Sequence, residues 1–134
     1  MASRRQGRRQ AVDILYQSDV TDQDPVEVLR EWEAAGKRIS TFATELVRGV
    51  RDHLGELDAL IGDAADDWTI DRLAALDRTI LRVATYEVLH REDVPAAVAI
   101  DEAVAAAKEL STEDSGRFVN GVLGRIARGS QDPS

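Results

Sequence analysis

The sequence predicts an all-α fold of seven helices arranged as two small bundles packed together. Three observations predict it. Apolar residues recur at three- and four-residue spacings along almost the whole chain. No five-residue stretch alternates like a β-branched strand. The prolines, Pro25, Pro95 and Pro133, fall at element edges, and short connections make sequential helices antiparallel neighbours. At 134 residues the chain reads as one domain, 1–134, long enough to bury a core without covalent staples.

The first helix is expected over about Ser3–Ser18, with Ala11, Val12, Leu15 and Tyr16 on one face. Asp24 can cap a second helix, about Pro25–Ala35, whose first position suits proline; Gly36 ends it. A third, about Ser40–Leu54, carries Phe42, Leu46, Val50 and Leu54 at strict four-residue spacing, and Gly55 is expected to stop it. Leu57, Leu60, Ile61 and Ala64 mark a fourth. Asp66–Arg72 reads as a connector pinned to the core by Trp68 and Ile70. The fifth, about Ala74–Arg91, buries Leu76, Ile80, Val83, Ala84 and Val88 and leaves Asp77, Arg78 and Glu87 mostly outside that stripe. Asp93-Val94-Pro95 breaks the chain, since a residue before proline avoids helical geometry. The sixth runs over about Ala96–Leu110. Ser111 and Asp114 resemble a capping box for the seventh, which carries Phe118, Val119, Val122, Leu123 and Ile126. Its inner Gly121 and Gly124 suggest the close approach of another helix, and Asn120 a polar packing group; the tail 129–134 is expected to be disordered.

Charge is unevenly placed. The net charge is −8, yet the first ten residues hold Arg4, Arg5, Arg8 and Arg9 and no acid, so +4 sits on this tip and −12 on the rest. A basic tip on an acidic body suggests a polyanion at one end, although four arginines can also serve only to solubilise a terminus. At 100° per residue, with Arg4 at zero, Arg8, Arg5 and Arg9 fall at about 40°, 100° and 140°. Leu15, Val12 and Tyr16 fall at about 20°, 80° and 120°, so the arginines continue the apolar stripe. Unpaired charge is costly to bury, which predicts that the first two turns overhang the body as a basic surface beside Tyr16.

Several chemistries are excluded or disfavoured. With no cysteine there is no disulfide, thiolate metal site or thiol nucleophile, which fits a reducing, cytoplasmic setting. His53 and His90 lie on different helices with no ligand partner at helical spacing, so no metal or other cofactor is expected. Asp13, Asp66, Asp67 and Asp71 offer carboxylates but no catalytic cue, and no phosphate-binding loop or Ser–His–Asp pattern is found, so no catalytic residue is assigned and no enzyme is expected. No run of apolar residues is long enough to span a membrane, and no apolar segment of a secretory signal follows the arginines. Six aromatic residues without a sheet rule out base-stacking modules such as the RRM or OB fold.

Two stretches carry a resemblance. Residues 4–20 read RRQGRRQAVDILYQSDV, and residues 81–128 contain Tyr86-Glu87, Asp93-Val94-Pro95 and Glu113-Asp114-Ser115 followed by Phe118-Val119-Asn120-Gly121-Val122-Leu123. In these the chain resembles the NusB family of bacterial transcription antitermination factors, over nearly its whole length and least over Thr21–Asp71. It departs from the family pattern at Asp101, where asparagine is frequent, and in having no lysine in the N-terminal segment. The resemblance implies a seven-helix fold that binds boxA RNA of ribosomal RNA transcripts together with the ribosomal protein NusE. It implies help in loading an antitermination complex on RNA polymerase. It assigns RNA contact to Arg4, Arg5, Arg8, Arg9, Tyr16 and Asp114, and the NusE-facing side to Asp77. Two other readings stay open. One is a self-associating scaffold, a homodimer that buries the arginine arm. The other is an accessory module of an RNA methyltransferase, disfavoured because the sequence leaves no room for a cofactor-binding domain.

Overall fold

The computed structural model describes residues 3–66 and 68–131, of 130 and 131 the backbone only. It contains seven α-helices: α1 (Arg4–Thr21), α2 (Pro25–Ala34), α3 (Thr41–Asp52), α4 (Leu54–Ala64), α5 (Ala75–His90), α6 (Ala96–Leu110) and α7 (Glu113–Gln131). A single 3-10 turn, Ile70–Arg72, precedes α5, and no strand occurs among the described residues.

Local chemistry explains most boundaries. Ser3 and Gln6 form a reciprocal capping box at the start of α1. Asp24 accepts from the Val26 amide and Pro25 opens α2, while Ser40 accepts from the Ala43 amide to start α3. Each such cap contributes about 1 kcal/mol. Gly36, with φ of 88°, takes the left-handed turn that ends α2.

Several expectations are corrected. Gly55 does not stop α3; the chain turns at His53, and Gly55 lies in the first turn of α4. Thr112, not Ser111 with Asp114, caps α7 by accepting from the Ser115 amide. The connector is held by Leu73, which is buried, and by Ile70, whereas Trp68 is 51% exposed. Helix α7 runs on to Gln131, past the expected start of the tail at 129; residues 132–134 lie outside the described residues.

Helices α1, α2 and α3 pack on one another, and α7 packs on both α4 and α6, all three in contact with α5. Helix α5 also touches α1 and α3, so the two groups share one continuous core. Leu46, Leu57, Ile61, Ile80, Leu81 and Leu123 are among its fully buried side chains. The close approaches are not at Gly121 and Gly124, where an added Cβ would meet only arginine side chains of α7 itself. They are at Gly49, covered by the Tyr86 ring, at Gly7, against Ser40 and Phe42, and at Gly116, beneath the Lys108 stem. Asn120 is exposed, and Phe118 is half-buried at the core's edge.

Candidate nucleic-acid interface

The N-terminal arm does not overhang. Gly7 is buried, and a Cβ there would lie 2.9 Å from Ser40 Oγ and 3.1 Å from the Phe42 ring. Gln10 ties the same stretch to the α2–α3 loop: its amide nitrogen donates to the Arg38 carbonyl at 2.8 Å and its oxygen accepts from the Ser40 amide at 3.1 Å. Of the four arginines that the wheel puts on the apolar stripe, only Arg8 turns to the core, while Arg4, Arg5 and Arg9 stay exposed. The inference of overhang fails because it takes their charge as unpaired.

Each arginine finds a carboxylate. Arg8 donates to both oxygens of Glu87 at 2.8–3.1 Å, and the Glu87 carboxylate is buried rather than outside the α5 stripe. Arg5 grips both oxygens of Glu102 on α6, at 2.9 and 3.0 Å. Arg4 reaches Asp93 at 2.5 Å, and Arg9 lies 3.5 Å from Asp13 and 3.4 Å from Glu109. The guanidiniums of Arg4, Arg8 and Arg91 also surround the Phe42 ring, 4.7–5.3 Å from its centroid. Asp93 is held down to a pKa of about 2 by hydrogen bonds from Arg91 and then Arg4. Glu102 is held below the usual range by Arg5.

The four arginines therefore differ. The Arg8 side chain is 12% exposed and the Arg5 side chain 76%, with Arg4 and Arg9 between. Arg5 and Arg9, one turn apart, stand about 6 Å from each other along the helix. Guanidiniums so placed can each grip a phosphate through two N–H donors.

A second feature lies at the far end of α5. Helices α1 and α5 run antiparallel, since Arg8 meets Glu87 and Asp19 meets Arg78. Tyr16, 40% exposed, lies one turn before Asp19. Beyond it, Trp68, Arg72, Asp77, Asp114, Ser115 and Phe118 line an open groove of about 450 Å³. Ser115 donates to Asp77 Oδ2 at 3.2 Å, while Asp77 Oδ1 is buried with no partner among the described residues. Burial pushes the Asp77 carboxyl up, against the smaller effect of the Ser115 hydroxyl. Asp114 is exposed and pairs with Arg117. The structure thus brings Asp77 and Asp114, which the resemblance gives to different partners, into one groove.

Glu87, Asp93, Glu102, Glu109 and Phe42 were not singled out as site residues from the sequence. The signal for two of them was present: Glu102 and Glu109 are seven residues apart, two turns on one face of α6. The two histidines are brought together. The His53 and His90 rings lie 4.1 Å apart beside Tyr86, with His90 Nε2 donating to Glu56 at 2.6 Å. No group of three or more metal-ligating side chains that could hold an ion occurs among the described residues. Asp13 and Asp66 pair with Arg9 and Arg125, not with each other, and Asp67 lies outside the described residues. No described helix is long and apolar enough to cross a membrane.

The profile of the NusB family matches residues 5–128, from the arginine arm to the end of the α7 core face. The chain belongs to the NusB family. It is 45% identical over 131 residues to the transcription antitermination protein NusB of Salinispora arenicola, covering 95% of this chain and 96% of that one. Among solved structures, T. maritima NusB superposes with a TM-score of 0.83 at 38% identity, covering 95% of this chain and 92% of that chain. A structure of the antitermination factors NusB and NusE in complex with dsRNA matches with a TM-score of 0.84 at 28% identity, covering 94% and 96%. Family membership accounts for the seven-helix fold.

Proposed function

We propose that this protein is a non-enzymatic transcription antitermination factor of the cytoplasm that binds boxA-type RNA of ribosomal RNA transcripts together with NusE. In that assembly it would help load an antitermination complex on RNA polymerase. The observation that carries the reading is the arm itself: Arg4, Arg5 and Arg9 stand on the rigid first turns of α1 with partly or largely exposed guanidiniums. They supply the phosphate contacts, and Arg8 holds the arm in place from beneath. Tyr16, exposed on the same helix, and the groove bearing Asp114 offer further contacts, since an exposed ring can stack on a base and a carboxylate can accept from a base amine. The solved complex of a similar NusB with NusE and dsRNA supports the partner and the ligand class.

Asp77 is the contact proposed for NusE, a basic ribosomal protein, which the acidic body would attract. Asp77→Asn tests this better than a charge reversal, because it removes the charge and keeps an oxygen for the Ser115 hydroxyl. The homodimer reading gains nothing from the arm, since acids of the same chain already satisfy each arginine. Titration of boxA-type RNA into the protein, with and without NusE, tests the proposal. Binding of RNA strengthened by NusE is expected. RNA affinity indifferent to both NusE and an Arg5→Gln change counts against it.

A further inference from the structure

We propose that Glu102 and Glu109 set the RNA affinity and selectivity of the arm by occupying, in the free protein, the guanidiniums that RNA phosphates take; this rests on the RNA-binding reading above. The two Arg5–Glu102 hydrogen bonds form the same parallel fork that an arginine offers a phosphate. The Glu102 side chain is 21% exposed, so α6 presents a nearly fixed acid to which the exposed Arg5 reaches. Glu109, itself 71% exposed, pairs with Arg9 more loosely, 3.4 Å away. The arm cannot swing off to meet a ligand, because Gly7 is seated on Ser40 and Phe42 and Arg8 is anchored to Glu87. An incoming phosphate must therefore displace a carboxylate in place.

That exchange makes the acids selective. A lone anion gains at one arginine about what it displaces, and stays unbound. A strand that presents two or more phosphates together regains both exchanges at once, because the second contact is made within the same complex. Glu102 and Glu109 thus hold the arm closed to single anions and open to an RNA strand. The depressed carboxyl of Glu102 agrees with its close engagement by Arg5.

The test is a double-variant cycle read by fluorescence anisotropy of a short labelled single-stranded RNA. Glu33, exposed on α2, serves as a control for loss of one acid far from the fork. Glu102→Gln is expected to tighten binding about two- to five-fold, the range of an exposed ion pair. In an Arg5→Gln background that gain should shrink to the level of Glu33→Gln. Unchanged or weaker binding by Glu102→Gln overturns the proposal, as does an equal gain in the Arg5→Gln background. Absence of RNA binding by the parent and Glu102→Gln alike removes the RNA-binding reading and this proposal with it, whereas binding without the gain removes this proposal alone.

Discussion

Arg8 of α1 and Glu87 of α5, 79 residues apart in sequence, are joined by three N–H to carboxylate contacts, with the Glu87 side chain 1% exposed and Arg8 12%. This pair fastens the arm to the helix that touches most of the fold. Removing one member leaves the other charged and buried, which costs about 3–5 kcal/mol. Arg8→Ala is accordingly expected to lower the urea midpoint sharply. Arg5→Ala, which breaks an exposed pair, should leave the midpoint nearly unchanged. Similar midpoints for the two variants would contradict the burial assigned to Arg8.

A chain beginning at Gln10 loses the Ser3 cap, the seat of Gly7 and the Arg8 anchor together. It should melt well below the full chain, with Glu87 left as an unpaired buried acid costing about 3 kcal/mol or more. Differential scanning calorimetry of the two chains decides this. Coincident transitions would restore the picture of an overhanging arm.

Salt dependence should report three arginines, not four. With Arg8 committed to Glu87, phosphate contacts fall to Arg4, Arg5 and Arg9. At about −0.7 per contact on a single strand, the slope of log affinity on log salt is about −2.1, or a roughly 20-fold loss between about 50 and 200 mM. Arg5→Gln and Arg9→Gln should each flatten the slope by about 0.7. A slope that neither substitution alters places the RNA elsewhere.

Two carboxylates give opposite pH signatures. Asp93 is lowered to about 2 by Arg91 and Arg4, so its stabilisation is present above the ordinary aspartate value near 3.8 and is lost as pH falls towards 2. Asp77 is raised by burial, so its ionisation opposes folding; that opposition is felt at neutral pH and disappears below the ordinary aspartate value. Asp93→Asn should flatten the acid limb of a stability–pH curve. Asp77→Asn should raise the urea midpoint at pH 7 and match the parent at pH 3. Parallel curves for the parent and both variants would refute the two assignments.

The sequence by itself determined the helices and the inward turn of Arg8. Proline, Ser and Asp caps and Gly36 are local signals, and a 3.6-residue period needs only its own helix to be read; that is why α2, α5 and α6 lie within a residue or so of where the pattern puts them. The motif of the arm and of the α7 start likewise carried the family, because it is a matter of residue order alone. Tertiary structure alone decided what meets the arginines. Glu87, Glu102 and Glu109 lie 79–100 positions from their partners, so a helical wheel shows which way Arg8 and Arg5 point and not which acids face them. The expected overhang rested on the cost of burying a charge alone; a buried guanidinium gripped by a buried carboxylate escapes most of that cost. The same distance in sequence hid the seats of Gly7 and Gly49, which exist only because Ser40, Phe42 and Tyr86 arrive from other helices.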